Sequence, residues 1–325
     1  MPDIITLTFN PALDCSTATA MILADEKLRC DPPRYDPGGG GINVARMAHA
    51  LGEAVVALFP AGGLTGDHLA ALVTATGTPF LRILTAGATR ENLSIVDRRS
   101  GAQYRFVLPG PPLRAVDQQS CIDELARLAP SARYVVVSGS LPADVAPNLL
   151  PRIADLCRAH DCRLVLDTSG EGLQQARTCH AFLLKPNADE LAQLAGRSLL
   201  SEADEEQAAR LLIDQGFAEV LLVSLGDRGA MVVTRQGVDR CRAIPIVART
   251  KVGAGDTMVA AVVVALTRGW TLVTALRFGV TAGAAALIEP GTQLARPEAL
   301  QGLYEAHFGD LPAIDRQETL KEVAE

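Results

Sequence analysis

The sequence predicts an α/β fold in which helices flank a doubly wound, mostly parallel β-sheet. Apolar runs of strand length alternate with segments of helical periodicity along most of the 325 residues, a pattern that indicates right-handed βαβ crossovers. Hydrophobic residues make up 48% of the chain and charged residues 21%, as in globular proteins. Only 4% of the residues are aromatic, so we expect the core to be aliphatic.

Six apolar runs have the length of buried strands, and they cover residues 4–9, 54–59, 134–137, 164–166, 182–184 and 220–223. Periodicity between these runs predicts helices over 43–51, 67–76, 117–128, 146–159 and 202–215. Two segments depart from the alternation. Residues 12–36 mix polar and apolar positions, and residues 92–108 have the pattern of a hairpin that turns at 99–102.

These departures suggest how the domain is organised. Residues 1–311 are predicted to form one α/β domain, and the excursions 12–36 and 88–110 are too short to be domains of their own. We expect them to form a small β-sheet that covers one edge of the core as a lid. Exposed lid strands would leave unpaired edges, which predicts that two lids pack together in a homodimer. Residues 312–325 are predicted to be a polar C-terminal tail.

Composition argues against several classes of protein. The formal net charge of −7 comes from 30 basic and 37 acidic residues, which disfavours a broad nucleic-acid surface, as does the scarcity of aromatic residues for base stacking. The longest uncharged apolar runs, 257–267 and 278–288, are much shorter than the ~20 residues that a spanning helix requires. The first residues lack the basic segment of a signal peptide. We therefore expect a cytoplasmic protein without membrane or nucleic-acid partners.

Seven cysteines are scattered along the chain without a C-x-x-C motif, which indicates reduced thiols. Cys157, His160 and Cys162 are close enough in sequence to suggest a metal site. A structural zinc site would need a second pair of ligands at suitable spacing, and none follows. We therefore interpret this segment as a helix end that leads into the next strand.

Several nucleotide-binding signatures are absent from the sequence. The chain has no Gly-Lys dipeptide, hence no Walker A loop, and it lacks the catalytic-loop and D-F-G motifs of protein kinases. The run Gly38-Gly39-Gly40-Gly41 lacks the third glycine of a dinucleotide fingerprint and does not follow directly from the first strand. An NAD-dependent oxidoreductase is therefore disfavoured.

That glycine run is nevertheless a candidate site. It directly precedes a helix that is predicted to start near Ile42, and it allows the backbone to approach a ligand closely. The alternative is a flexible turn. Four consecutive glycines cost about 1 kcal/mol each relative to alanine in regular structure, which favours the ligand-binding interpretation.

A second candidate site lies near the C-terminus. Gly253, Ala254 and Gly255 precede an apolar helix, so their backbone N–H groups and the helix dipole could stabilise a transferring phosphoryl group. Asp256 follows in the first helical turn. It could accept the proton of an attacking hydroxyl, or it could simply cap the helix. The local sequence favours neither interpretation.

Four motifs in order show that the sequence resembles the PfkB (ribokinase-like) family of sugar kinases over residues 4–308. Residues 38–46 resemble the N-terminal signature of this family, and residues 252–256 resemble its C-terminal signature. Asn187 and Glu190 match its N-x-x-E motif, and residues 224–230 resemble its nucleotide-binding turn. The resemblance implies a phosphotransferase with an alcohol group as acceptor.

Further features resemble the phosphofructokinase branch, namely residues 6–14, 27–30 and 103–106 together with Arg90. They imply that ATP phosphorylates fructose 6-phosphate at its C1 hydroxyl to give fructose 1,6-bisphosphate. Asp256 would be the general base, assisted by Gly253, Ala254 and Gly255. Tagatose 6-phosphate and fructose 1-phosphate stay open as alternative substrates. A non-catalytic sugar-phosphate or nucleotide sensor also stays open, although the presence of the N-x-x-E motif and Asp256 argues against it.

The resemblance also implies which residues bind the sugar phosphate. Arg90 and Arg105 would hold its phosphate, in agreement with the bidentate binding of phosphate by guanidinium groups. Without the resemblance, an arginine in a lid hairpin would be interpreted as a solvated edge residue. The implied sugar-binding residues are Asp14, Gly39, Gly40, Asn43, Arg90, Arg105, Ser140 and Lys27, the last reaching the site of a neighbouring subunit.

ATP and Mg²⁺ are the implied cofactors, with Glu190 holding magnesium through its water shell. The implied nucleotide-binding residues are Lys185, Asn187, Ser224, Gly226, Gly229, Val280 and Ala284. Potassium, if it is used, would lie near Thr250, Val252, Ala286, Glu289, Gly291 and Gln293. Thr250-Lys251-Val252 stands where many members of the family have Asp-Thr, which weakens the case for potassium more than the case for catalysis.

Overall fold

The computed structural model describes residues 1–248, 253–289 and 294–313. Its strands in chain order are β1 (Ile4–Leu7), β2 (Ala12–Thr19), β3 (Arg34–Gly38), β4 (Val55–Ala61), β5 (Phe80–Leu84), β6 (Arg90–Asp97), β7 (Gln103–Val107), β8 (Tyr134–Ser138), β9 (Arg163–Asp167), β10 (Ala181–Leu184), β11 (Ala218–Ser224), β12 (Ala230–Val233) and β13 (Val238–Cys241). Its α-helices are α1 (Gly40–Ala50), α2 (Gly63–Ala75), α3 (Ala115–Leu128), α4 (Leu149–Ala159), α5 (Glu171–Gln175), α6 (Ala188–Ala195), α7 (Glu202–Asp214), α8 (Ala254–Thr267), α9 (Leu272–Ile288) and α10 (Pro297–Phe308).

Nine strands form one large sheet in the order β13-β12-β11-β10-β9-β8-β1-β4-β5. The strands from β11 to β5 pair in parallel, whereas β11–β12 and β12–β13 pair antiparallel. The predicted α/β fold class is confirmed, and all six predicted strands lie in this sheet. The carboxyl ends of the seven parallel strands share one edge, which is where ligands bind in open α/β sheets.

Helices cover both faces of the large sheet, so successive strand residues enter two different cores. In β4, Val55, Ala57 and Phe59 join the core that contains α1, α8 and α9, while Val56 and Leu58 join the core that contains α3, α4 and α7. Burial on both faces explains why these strands are continuous apolar runs. Every residue of α8 from Thr257 to Thr267 is buried, so this helix is embedded in its core.

Some helix boundaries differ from the predicted ones. α1 begins at Gly40, three residues before the predicted start, because its first turn uses the glycines themselves. α4 begins at Leu149 rather than at residue 146, since the residue before Pro147 is disfavoured in helical conformation. α4 ends at Ala159 and β9 begins at Arg163, in line with the interpretation of the segment around His160.

A second sheet of four strands, here called the small sheet, has the order β3-β2-β6-β7. β2, β6 and β7 lie within the two excursions noted in the sequence, and β3 begins in the first of them and extends to Gly38. β2 runs parallel to β6 with Ala12 opposite Arg90, and β3 and β7 pair antiparallel on the two outer sides. β7 exposes the apolar side chains of Tyr104, Phe106 and Val107.

Within the part of the chain that the structure describes, no helix is long and apolar enough to cross a membrane. The same ranges contain no group of three or more His, Cys, Asp and Glu side chains arranged to hold a metal ion.

Candidate active site

The first turns of α1 and α8 meet at the carboxyl edge of the large sheet. Asn43 in α1 donates a hydrogen bond from Nδ2 to Oδ2 of Asp256 in α8, with 2.9 Å between the atoms. The two residues are 213 positions apart in the chain. The two glycine-rich segments that the sequence singled out therefore belong to one site.

The glycine run is tightly packed on the strand ends beneath it. A Cβ atom on Gly40 would lie 2.3 Å from Oγ of Ser138, and a Cβ on Gly41 would lie 2.9 Å from the carbonyl oxygen of Leu7. Gly39 has a φ of 121°, a conformation that L side chains rarely adopt. The run is therefore required for close approach of the backbone to β1 and β8, and the flexible-turn interpretation does not describe it.

Asp256 is the third residue of α8, whose N-cap is Gly253 with a φ of 83° and no side-chain capping bond. The carboxylate of Asp256 bonds to Asn43 instead, so it does not cap the helix. Burial raises the pKa of Asp256 to about 6, and the negative charge of Asp167 adds to the rise. The hydrogen bond from Asn43 and the charge of Lys185 oppose it. A carboxylate of this kind can accept a proton near neutral pH.

Lys185 is buried at the end of β10 and forms an ion pair with Asp167 at the end of β9. Its Nζ lies 3.0 Å from Oδ1 of Asp167, and Oγ of Ser138 donates to Oδ2 of the same carboxylate at 3.2 Å. Burial lowers the pKa of Lys185. The negative charges of Asp167, Glu190 and Asp256 outweigh this effect, so the pKa lies above its usual value. A Cβ on Gly255 would lie 3.8 Å from Nζ, so this positive charge lies beside the first turn of α8. Asp167 was not predicted from the sequence, although an acidic residue at the end of a buried strand can indicate a site residue.

The N-x-x-E motif starts α6 with a capping box. Oδ1 of Asn187 accepts from the N–H of Glu190, and Oε2 of Glu190 accepts from the N–H of Asn187, each at 2.8 Å. Burial raises the pKa of Glu190, and the bond from Asn187 and the charge of Lys185 oppose this. One oxygen of this carboxylate serves the cap, which leaves the other to bind a water molecule or an ion.

The segment resembling a nucleotide-binding turn follows β11. Ser224 is joined to the N-x-x-E motif by a bridge with Asn187, and its N–H donates to the carbonyl of Pro186 at 3.0 Å. Gly229 has a φ of 97°, and a Cβ there would lie 2.1 Å from the carbonyl oxygen of Cys241. Arg228 within the turn is paired with the buried Glu205 of α7. The turn is thus held rigidly next to α6.

The small sheet contributes an acid and two arginines. Asn92 of β6 donates to Oδ1 of Asp14 of β2 at 2.8 Å. Burial raises the pKa of Asp14, against the opposing effects of that hydrogen bond, Arg105 and Arg90. Arg90 donates to the carbonyls of Asn10 and Leu108 at 3.0 and 3.1 Å, and its buried Nε has no acceptor within the described residues. Asn92 was not predicted from the sequence.

Other predicted site residues occupy varied surroundings. Asn10 donates from its side chain to Oγ of Ser140 at 3.1 Å. Since the carbonyl of Asn10 accepts from Arg90, Ser140 and Arg90 contact the same residue. Arg105 and Lys27 are exposed, and Lys27 makes no hydrogen bond or ion pair within the ranges that the structure covers. Val280 and Ala284, which were predicted to bind the nucleotide, are buried in α9. Ala286, which was predicted to lie near potassium, is buried in the same helix.

The predicted potassium residues are only partly covered by the structure. Thr250, Val252, Gly291 and Gln293 lie outside the described residues. Glu289, which follows α9, is paired with Arg296 through Oε1 at 2.9 Å. This pairing neutralises the one acidic side chain of the predicted set.

The chain is similar in sequence and structure to several phosphofructokinases. The chain is 50% identical over 304 residues to the ATP-dependent 6-phosphofructokinase isozyme 2 of Mycobacterium tuberculosis, covering 94% of this chain and 89% of that protein. It is 38% identical over 305 residues to the Escherichia coli protein of the same name, covering 94% and 98%. The crystal structure of phosphofructokinase-2 from Escherichia coli in complex with fructose-6-phosphate superposes with a TM-score of 0.86 at 37% identity, covering 94% and 99%. A model of the pfkB family of carbohydrate kinases matches residues 9–299, and the chain belongs to that family.

Proposed function

We propose that this protein is an ATP-dependent 6-phosphofructokinase, which transfers the γ-phosphoryl group of ATP to the C1 hydroxyl of fructose 6-phosphate. The observation that carries the proposal is the pairing of Asn43 with Asp256. It holds a carboxylate of raised pKa at the N-terminus of α8, beside the positive charge of Lys185. The names of the similar proteins support the same activity.

Asp256 acts as the general base. Its carboxylate accepts the proton of the attacking C1 hydroxyl as the oxygen of that hydroxyl bonds to phosphorus. A pKa near the working pH serves this step, because the group is then ionised and still basic enough to take the proton. Asn43 fixes the direction of the carboxylate through Oδ2, so that Oδ1 is left for the substrate.

The first turn of α8 stabilises the charge that builds up on the phosphoryl oxygens. The first N–H groups of a helix have no acceptor within the helix, and the helix dipole adds a partial positive charge there. Lys185 adds a full positive charge beside this turn, and Asp167 prevents its side chain from moving away. These groups are in place before the substrates bind, so little reorganisation accompanies the reaction.

The site fits magnesium that is held mainly by phosphate oxygens and water. Mg²⁺ in such sites takes one or two carboxylates from the protein, and Glu190 has one oxygen outside its capping box. When bound, magnesium neutralises charge on the ATP phosphates. Potassium near Ala286 stays a prediction, with Glu289 already neutralised by Arg296.

The small sheet supplies the sugar-phosphate pocket in this proposal. Asp14 and Asn43 bond to sugar hydroxyls, and Arg90 and Arg105 bind the phosphate. The unpartnered Nε of Arg90 supports this assignment, since a buried guanidinium N–H without an acceptor is costly unless a ligand supplies one. Closure of the small sheet over the sugar as a lid would exclude water and limit hydrolysis of ATP.

The protein is further proposed to be a cytoplasmic homodimer. The apolar side chains exposed on β7 and the free edge of this strand in the single chain support a dimer through the small sheets. Lys27, exposed between β2 and β3, would then reach the site of the partner subunit. All seven cysteines are free thiols, which fits a reducing compartment.

The deciding experiment measures ADP release from ATP and Mg²⁺ in the presence of fructose 6-phosphate, tagatose 6-phosphate, fructose 1-phosphate or free fructose. We expect a clear preference for fructose 6-phosphate. Asp256→Asn, purified in the same way, serves as the control for contaminating kinases. Preference for free fructose would refute the proposed phosphate pocket but would leave Asp256 as the proposed general base. No turnover with any of the sugars would favour a non-catalytic sensor.

A further inference from the structure

Two cysteines lie side by side where α4 leads into β9. Cys157 is in the last turn of α4, and Cys162 directly precedes β9. The N–H of Cys162 donates to the carbonyl of Cys157 at 3.0 Å, and the N–H of Asp161 donates to the carbonyl of Arg158 at 3.4 Å. Asp161 between them has a φ of 55°. These two bonds and the left-handed residue define a Schellman motif at the end of α4.

A Schellman motif brings the side chains at the two ends of its longer hydrogen bond into contact, usually as an apolar pair. Here both ends are thiols. The thiol of Cys162 donates to the carbonyl oxygen of Cys157 at 3.5 Å, so it lies directly beside the residue that carries the other thiol. The folded backbone therefore holds the two cysteines next to each other, an arrangement from which a disulfide can form.

A cleft in the surface leads to this pair. A cleft of about 1000 Å³ lies at the amino ends of β8, β9 and β10, and both cysteines line it. The side chains themselves are almost fully buried, with 1% of Cys157 and 6% of Cys162 exposed. A small oxidant can enter the cleft, whereas the sulfur atoms are out of reach of a folded protein.

A third cysteine lines the same cleft but is directed elsewhere. Sγ of Cys179 donates to the carbonyl of Gln175 at 3.4 Å, and the carbonyl of Cys179 accepts from Nη1 of Arg158 at 3.0 Å. Within the described residues, no backbone motif comparable to the Schellman motif links Cys179 to either of the other two cysteines. Cys179 thus provides an internal control.

We propose that Cys157 and Cys162 form a self-resolving oxidation site for hydroperoxides. The thiolate of Cys162 attacks a peroxide oxygen, the O–O bond breaks, and Cys162 becomes a sulfenic acid as hydroxide leaves and takes up a proton to form water. The sulfur of Cys157 then attacks that of Cys162, the S–O bond breaks, and a second water leaves. Two thiols are oxidised to one disulfide, and one hydrogen peroxide is reduced to two waters.

The order of attack follows first from exposure, since 6% of Cys162 is exposed against 1% of Cys157. The hydrogen bond from Cys157 holds the pKa of Cys162 below its usual value, while the same bond and burial raise the pKa of Cys157. Cys162 is therefore the better nucleophile, and Cys157 is positioned to resolve it. Resolution protects Cys162 from further, irreversible oxidation.

Trypsin gives a direct readout, because it cleaves after Arg158 and Arg163 and so separates the two cysteines. The full-length reduced protein is treated with hydrogen peroxide, alkylated, and digested without reductant. We expect residues 153–158 and 159–163 to appear as one linked peptide that separates again after reduction. Absence of this linked peptide, or linkage of Cys179 in its place, would overturn the proposal.

Two variants test the assigned roles. Cys157→Ser removes the resolving thiol, so the peptide 159–163 should gain two or three oxygens, whereas Cys179→Ser should form the linked peptide as the wild type does. Circular dichroism spectra confirm that each variant is folded. Reduced and unmodified Cys162 in Cys157→Ser after peroxide treatment would show that Cys162 is not the attacked sulfur, and would overturn the assignment.

Discussion

Asn43 and Asp256 are joined by a 2.9 Å hydrogen bond between the first turns of two helices that lie far apart in the chain. The bond orients the carboxylate, and it also opposes the rise in the pKa of Asp256 that burial produces. One contact therefore sets both the direction and the basicity of the proposed general base.

Asp256→Asn should lower kcat by about 10²–10⁴-fold while the sugar phosphate still binds, because the amide cannot accept the proton. The substitution keeps the shape of the side chain and an oxygen that can accept from Asn43. Steady-state kinetics, together with calorimetric binding of fructose 6-phosphate, would check this. Turnover close to that of the wild type would refute the role of Asp256.

The same variant should be more stable than the wild type above pH 6. The pKa of Asp256 is raised in the folded state, so its contribution to stability is present at low pH and is lost as the pH rises through about 6. Because asparagine carries no charge, the variant avoids the cost of burying a carboxylate. Its free energy of unfolding at pH 8 should be roughly 1–3 kcal/mol higher than that of the wild type. Urea unfolding at pH 8 and at pH 4.5 should show a gain that shrinks in acid, and an equal gain at both would contradict the pKa shift.

The pH dependence of kcat/KM should show an acid limb near pH 6, below which activity falls as Asp256 takes up a proton. Asn43→Ala removes a hydrogen bond that stabilises the carboxylate, so the limb should move to higher pH in addition to any loss of rate. Asn92→Ala, which affects Asp14 instead, is the matched control. If the acid limb of Asn43→Ala stayed at the pH of the wild type, a group other than Asp256 would be responsible for it.

Arg90→Ala should raise the KM for fructose 6-phosphate by roughly 10–100-fold, since a charge-assisted contact contributes about 1.5–3 kcal/mol. Arg99, exposed in the turn between β6 and β7, offers a matched control, and Arg99→Ala should leave the KM unchanged. Because Arg90 also holds the carbonyls of Asn10 and Leu108, thermal unfolding of both variants should be measured. A KM that rises equally in both variants would point to general loss of charge rather than to a phosphate contact.

The large sheet could be predicted because its strands are buried on both faces and therefore form plain apolar runs. Phe80–Leu84 escaped prediction because Arg82 interrupts the run, yet this arginine leaves the strand to donate to Asp67 at 2.7 Å and to the carbonyl of Ala61 at 2.9 Å. Ala230–Val233 and Val238–Cys241 are short and were missed for lack of a long apolar stretch.

The site could be predicted where the chain carries a local motif, as at Asp256 and in the glycine run. Asp167 and Asn92 were missed because each acts through a partner far away in sequence, Lys185 and Asp14 respectively. Such pairs exist only once the topology brings two strands side by side. The physical reason for the glycines was likewise visible only in the structure, as contacts with β1 and β8.

Gly40→Ala tests that reason directly. A Cβ on Gly40 would lie 2.3 Å from Oγ of Ser138 and 2.8 Å from the backbone nitrogen of Gly139, and backbone cannot move aside as a side chain can. We expect a loss of about 1–3 kcal/mol in the free energy of unfolding. Gly302 is exposed on α10, and a Cβ there would have no atom within 4 Å. Gly302→Ala should therefore raise the free energy of unfolding, by about 1 kcal/mol at most, because alanine has the higher helix propensity. Urea unfolding of both variants should therefore give changes of opposite sign, and a stabilised Gly40→Ala would mean that the glycine run is a flexible turn after all.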